Sequence, residues 1–434
     1  MSVDELLGHV PPEVVYRRVP LPPQQNAWPL WEEAVAGIEA VSSEIDRWSD
    51  LYWGTDEPGE YAPWPTDEEA GDIRELLRRE QWRLDRFEEG LDRGRPQVPM
   101  SEPGGEIVST SMELRTIVRL RWLLARSHVA EGRADEALGI CLGSLRAGEM
   151  LFLGEGMIVD WLLALAFYGL AWHGVGWLLE NAELNRESLH RALAALRAES
   201  PFADALATSL KVDLVYDLGT LDRLPDPADA PVLAEALYRN AFSRRCIFGD
   251  GELMEVPESD PRVQWVREKI HFLLDDHPRP FDKIATAQIL GRAHVEAVRA
   301  CDELEHKPAD EVTKALEASP LNEQIRGKAE LWPNVLIPMF SLEAIGDTEE
   351  AAQYRNSMVE LFDDDPEMRE FYRIPSDEEF AAMRQRIRET ENPVGWWFIN
   401  TTAPATRAYF GFVARENQRR EELAERITRR LGSE

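Results

Sequence analysis

The stretch TSMELRTIVRLRWLLARSHVAEGRADEALGICLGSL, residues 110–145, decides the fold class. Thr110 and Glu113 have the spacing of a capping box, in which a hydroxyl and a carboxylate satisfy each other's orphaned backbone N–H groups at a helix start. Apolar residues then recur with helical period as far as Glu131. Gly132-Arg133-Ala134-Asp135 stops the pattern, and Ala137, Leu138, Leu142 and Leu145 resume it. So short a turn sends the second helix back along the first, and the stretch predicts an antiparallel helical hairpin.

Toward the N-terminus, Asn26 reads as an N-cap with Pro29 in the first turn. Leu30, Ala34, Ile38, Val41, Ile45, Trp48 and Tyr52 continue as one amphipathic helix. After the Gly/Pro-rich residues 54–65, Thr66 and Glu69 form a second capping box, followed by Ile73, Leu77, Leu84, Phe87 and Leu91 at helical spacing. These two helices predict a first hairpin. Pro96, Pro99, Pro103 and Gly104-Gly105 then break helix and strand patterns alike and mark a linker.

Toward the C-terminus, Phe202, Leu206, Leu210, Leu214, Leu218 and Leu221 form a clean stripe, and a further helix runs from Phe281 to Glu305. Pro225-Asp226-Pro227, Pro257 to Pro261, Pro278 to Pro280, Pro308 and Pro320 punctuate this half at irregular intervals. Ile247 to Val256, around Gly249-Asp250-Gly251, reads as a small β-hairpin. Ser376 and Glu379 cap a helix that ends before Asn392-Pro393, and Val394 to Phe398 is apolar and aromatic. A last helix, Ala405 to Leu431, sets Phe412, Leu423, Ile427 and Leu431 against a face bearing Arg419, Arg420, Glu421 and Glu422. The expected fold is all-α, an irregular array of antiparallel helical hairpins in the manner of an α-solenoid or helical bundle. Its expected regions are a Trp-rich hairpin over 1–95, a linker over 96–106, a central array over 107–375 and C-terminal helices over 376–434.

The stretch around residue 130 resembles a tetratricopeptide-type hairpin: Leu124, Ala125, His128, Gly132, Ala137, Cys141 and Ser144 fall at that repeat's small, bulky and turn positions. The repeat's closing proline falls at Glu149, and its large second-helix aromatic at Cys141. A second echo lies at Leu342, Gly346 and Ala351 within 340–362, where the bulky position is Arg355. The layout of opening Trp-rich helix, middle hairpin and charged final helix is similar to a group of uncharacterised bacterial all-helical proteins. Stacked hairpins imply a curved body whose groove receives a partner segment.

At 434 residues, with 44% hydrophobic and 29% charged residues, the chain can build a packed core and is long enough for more than one. A net charge of −32 repels phosphate backbones and anionic headgroups, which disfavours nucleic acid and points to a protein or peptide partner that is basic or apolar. Lys211, Lys269, Lys283, Lys307, Lys314 and Lys328 are the lysines; arginine supplies the rest of the positive charge, a bias to which no function is attached. Cys141, Cys246 and Cys301 are odd in number and far apart, which fits a reducing compartment. Residues 1–16 carry Asp4, Glu5 and Pro11-Pro12 where a signal peptide needs an apolar run, so a cytoplasmic location is expected.

Few residues point to chemistry. His271, Asp275 and His277 could offer metal ligands from one helix end, although histidines there commonly satisfy carbonyl groups. His294, Cys301 and Glu305 share a helix face, but two turns separate thiol from imidazole by more than a direct proton transfer allows. Asp363-Asp364-Asp365-Pro366-Glu367 superficially resembles the aspartate-rich magnesium box of all-helical terpenoid synthases, with Pro366 breaking the helix inside it. No nucleotide-binding, serine-hydrolase or zinc-module pattern is present, and no cofactor is indicated. Trp161 to Leu179 approaches the length of a membrane span, but its interrupting glycines and acidic flanks favour a buried helix. Of fourteen tryptophans, Trp28, Trp31, Trp48, Trp53, Trp64 and Trp82 precede the linker and could line a groove. Trp396, Trp397 and Phe398 would form a partner-binding patch if exposed. The sequence leads to an interaction or scaffold protein without an evident catalytic site, with an all-α enzyme or a membrane-associated helical protein as alternatives.

Overall fold

The computed structural model describes residues 2–52, 64–65, 67–99, 110–198, 201–224, 232–234, 245–247, 253–255, 259, 261–274, 277–304, 306–329, 331, 376–402 and 406–433. Over these the chain is all-α apart from one antiparallel ribbon, β1 (Arg245–Ile247) against β2 (Leu253–Glu255), with Cys246 opposite Met254. The turn residues Gly249-Asp250-Gly251 lie outside the described residues, as do Thr66, residues 100–109, Pro225-Asp226-Pro227, residues 340–362 and residues 363–367.

Two compact units divide the chain. One contains Tyr16–Asp213, Ala297–Lys314 and Ala405–Glu434; the other contains Met1–Val15, Leu214–Glu296 and Ala315–Pro404. A short α1 (Val3–Leu7), capped by Ser2 and Glu5, opens the second of these.

In the first unit, the single helix expected over 30–52 is two, α2 (Trp28–Val35) and α3 (Glu39–Tyr52). Asn26 does assist the start, its Oδ1 accepting from Trp28 N at 3.0 Å, while Ala27 is the flanking residue. The break follows from what holds the last carbonyls of α2. Buried Arg83 donates through Nη1 to the oxygens of Ala34 and Ala36, both at 2.8 Å, and Gly37 takes a φ of +66° to redirect the chain. Likewise α4 (Asp67–Arg79) and α5 (Gln81–Arg93) separate at Glu80, whose buried carboxylate accepts from Arg79 and Arg83 at 2.8 Å each. The described end of the Pro-rich stretch is tied into this unit: Gln97 N donates to Asn26 Oδ1 at 2.8 Å and Val98 N to Gly154 O at 3.3 Å.

The hairpin that decided the fold class is present as α6 (Thr110–Ala130) and α7 (Ala134–Phe152), turning at Gly132 with φ +77°. Against both packs α8 (Ile158–Asn181), long and apolar enough to cross a membrane by length and composition. Trp161, Phe167, Tyr168, Ala171, Trp172, Val175 and Leu178 on α8 are buried in the unit. Its Gly174 lets α6 and α7 come close, since a Cβ there would lie 2.6 Å from Cys141 Sγ and 2.9 Å from Trp122. Ile45, Trp48, Ile73, Leu77, Leu84, Leu120 and Leu123 form a shared core of α3 to α6. The unit continues with α9 (Arg186–Arg197) and the first part of α10 (Phe202–Arg223), which passes into the other unit from Leu214; the predicted stripe of α10 from Phe202 to Leu221 is buried throughout.

The second unit includes α11 (Pro261–Leu274) and much of α12 (Lys283–Glu303). After α13 (Ala309–Glu317) come α14 (Pro320–Ala329), α15 (Asp377–Glu389) and α16 (Pro393–Thr402). The Ser376–Glu379 capping box forms as the sequence predicts, with both reciprocal bonds in place. Asn392, at φ +55°, brackets the turn into α16: its Oδ1 accepts from Asp282 N at 2.8 Å and its Nδ2 donates to Thr286 Oγ1 at 3.0 Å. The last helix, α17 (Thr406–Ser433), belongs to the first unit.

A packing test follows from α5. Gly90 faces Trp31, whose ring stacks on Phe87 at 5.2 Å and donates to the Phe87 carbonyl at 3.2 Å. A Cβ at position 90 would sit 2.3 Å from Trp31 Nε1. Gly90→Ala is expected to destabilise the protein by about 1–3 kcal/mol through overpacking. Gly71→Ala, in open space on α4, should instead stabilise by roughly 0.5–1 kcal/mol. Urea unfolding followed by tryptophan fluorescence distinguishes the two, and equal midpoints would contradict the packing at Trp31.

Candidate functional site

The end of α9 is where local sequence meets a distant helix. Arg197 closes α9 and Ala198 leaves it in extended conformation, with no glycine to fold the chain back over the last carbonyls. Arg420 of α17 takes that role. Its Nη2 donates to Leu196 O at 3.2 Å and to Ala198 O at 2.5 Å, and its Nη1 to the Tyr168 hydroxyl at 3.3 Å. The Tyr168 hydroxyl in turn donates to Glu149 Oε1 at 2.5 Å. The guanidinium lies over the Phe202 ring, 5.8 Å from its centroid. One turn earlier on α17, buried Glu416 accepts from Arg419 at 2.7 Å, and burial holds its carboxyl above the ordinary range. Burial, reinforced by Glu149, pushes the Tyr168 phenol well up.

The same helix is fastened twice more. Arg426 donates to Gly176 O at 3.3 Å and pairs with Glu180 at 2.7 Å; Arg430 donates to Leu179 O at 2.7 Å and Ala182 O at 2.8 Å. Between α17 and the end of α9 lies an open groove of about 690 Å³. Buried Leu196 and Arg420 form its floor, with half-buried Ala424 beside them. Exposed Arg197, Glu421, Glu425 and Arg429 form its rim, Arg197 reaching Thr428 Oγ1 at 3.3 Å. Glu421, Glu425 and Arg429 follow one another at four-residue spacing and have no hydrogen-bond or ion-pair partner among the described residues. The arrangement can hold a polar segment by charge-assisted hydrogen bonds along a prepositioned wall.

The residues singled out from sequence lie elsewhere. His271 is on α11, His277 follows that helix, and Asp275 lies outside the described residues. His277 bridges backbone at both ring nitrogens, Nε2 standing 3.1 Å from Thr390 O and Nδ1 accepting from Arg279 N at 3.1 Å. Among the described residues no group of three or more His, Cys, Asp or Glu could hold a metal ion. Trp396, Trp397 and Phe398 are 7%, 8% and 3% exposed, so they contribute to the core of the second unit. Trp28, Trp31 and Trp48 are buried too, whereas Trp82 is 45% exposed under the Arg83 guanidinium; Trp53 lies outside the described residues. His294 is wholly buried with Nδ1 2.9 Å from Leu290 O, and burial pushes it down to about 4, which keeps the ring neutral. Burial raises the thiol of Cys301, and Glu305 lies outside the described residues.

Sequence reasoning missed the groove because its walls are arginine and glutamate on an ordinary amphipathic helix. Arg420→Met should destabilise the protein by about 3 kcal/mol, since it strands the buried Leu196 carbonyl and removes the bonds to the Tyr168 hydroxyl and to Ala198. Arg429→Met, on the rim, should change stability by less than about 0.5 kcal/mol. Urea titrations read by circular dichroism test the contrast, and similar losses in both variants would contradict it.

Comparison with protein-family models, curated proteins and solved structures finds no match to this chain.

Proposed function

We propose that the chain is a protein–protein interaction scaffold of tetratricopeptide-like helical hairpins, and that it receives a segment of a partner protein in the groove along α17. The single observation that carries this reading is the combination of fixed walls with an unsatisfied rim. Arg420, Arg426 and Arg430 hold α17 against the ends of α8 and α9, while Glu421, Glu425 and Arg429 remain unpaired among the described residues. Preorganisation of this kind lowers the ordering cost of binding. The partner is a basic segment, because a chain of net charge −32 attracts basic proteins electrostatically and Glu421 and Glu425 supply local acceptors. Buried, free Cys141 and Cys301 suit work in the cytoplasm, where thiols stay reduced.

A photo-activatable residue placed at Glu425 in the source cells should trap one discrete adduct, and the same probe at exposed Gly71 should not. Ala424→Trp, which fills the groove, should reduce the adduct by about tenfold, equivalent to roughly 1.4 kcal/mol of binding, with the circular dichroism spectrum unchanged. Identical labelling patterns at both positions, insensitive to Ala424→Trp, would rule the groove out as the partner site.

A further inference from the structure

The face of α10 that meets α8 carries one residue its apolar stripe does not require. Asp213 sits beside buried Leu210 and Val212, and its Oδ1 accepts from Ile158 N at 3.1 Å. Two residues on, buried Asp160 accepts from Met157 N at 2.9 Å. Trp161 supplies the second bond between the helices, its Nε1 donating to Phe202 O at 3.2 Å. Tyr409 of α17 closes the third side, its ring 6.1 Å from Trp161 at 67°. We propose that Asp213 and Asp160 make the α8–α10–α17 interface a proton-operated latch, tight when Asp213 carries a proton and loosened when it ionises.

Each packed element contributes a group that bears on this proton. From α8 come the Asp160 carboxylate, which repels a second negative charge, and the Ile158 N–H, which favours one. From α17 comes Tyr409, whose phenol is raised by burial and by the Asp213 charge. Arg18 acts electrostatically on Asp160, and Lys211 on α10 acts on Cys301. Burial is the largest influence on Asp213 and Asp160 adds to it; together they outweigh the Ile158 bond and push Asp213 up to about 7.

In an unfolded or opened chain Asp213 ionises near the ordinary 3.8, but in the closed interface it keeps its proton to about 7. Stabilisation from the protonated contact is therefore full at low pH and is lost as pH rises through neutrality. Opening would free the Phe202 carbonyl and loosen an aromatic cluster in which Phe202 meets Phe152 at 5.1 Å and Tyr168 at 4.9 Å. His294 contributes with the opposite sign, losing stability as pH falls from 6.5 toward 4. Whole-protein melting mixes the two, so the readout must be local.

Hydrogen exchange of the amides in 157–161, corrected for intrinsic rates, measures it on the full chain. Wild-type protection is expected to fall by about tenfold between pH 6 and pH 8. Asp213→Asn should remove that dependence, and Asp160→Asn should move its midpoint to lower pH. Flat wild-type protection, a dependence retained in Asp213→Asn, or a midpoint unmoved by Asp160→Asn would each overturn the proposal. Should Asp213→Asn fail to fold, carbon-13 titration of the Asp213 carboxyl in wild type decides instead: a midpoint near 7 supports the latch, and one in the ordinary aspartate range overturns it.

Discussion

A helix that stops inside a protein leaves carbonyl oxygens that water cannot reach, and each one left unsatisfied costs about 1–3 kcal/mol. In this chain long cations from elsewhere in the fold answer that constraint repeatedly. Arg83 holds the end of α2, Arg420 the end of α9, and Arg426 and Arg430 the end of α8. Arg18 reaches the carbonyl of Val98 and, beyond α7, those of Gly154 and Glu155, and Lys283 reaches that of Asp222. A guanidinium suits the task because its planar fork can serve two acceptors at once and stays charged in a protein interior. The positive charge also meets the negative end of the helix dipole.

These caps do more than end helices. Where the donor lies on another helix, as with Arg83, Arg420, Arg426 and Arg430, it fixes the angle and register at which two helices meet, and the groove beside α17 inherits its shape from three of them. The cations that build the groove are spent on the interior. What faces solvent is the remainder of the same helix, Glu421, Glu425 and Arg429, the side chains that the proposed partner would meet. Asp213 is a contrast within the same unit, a half-buried carboxyl whose bond is to a backbone N–H and which no described cation pairs.

Features whose causes lie within a few residues were legible in the sequence. The Ser376–Glu379 box, the turn at Gly132 and the stripe from Phe202 to Leu221 needed no distant information, and each is present. The division between α2 and α3 was not legible, since Gly37 inside an apolar pattern looks tolerable until Arg83 arrives from α5 to take the carbonyls. The same holds for the site. Tyr168 and Arg420 are 252 residues apart, and nothing in the pattern of α17 distinguishes Arg420, which is buried, from Arg419, which is not. The preference for arginine over lysine, to which the sequence alone attached no function, has a structural use at these helix ends. Trp396 to Phe398 show the reverse limit: composition marks them as apolar, but only tertiary packing determines that they are enclosed.

The fastening of α8 by α17 also sets a timetable. Arg430 is made 251 residues after Leu179, so at ordinary synthesis rates the cap for α8 arrives roughly 10–50 s after the helix it completes. Throughout that interval α8, the most apolar of the described helices, has an open end and one flank without its final cover. The nascent chain therefore passes through a period in which α8 is held without α17, by its packing on α6 and α7, themselves braced by α3 to α5, and the burden of keeping α8 from competing contacts falls first on the hairpin translated just before it.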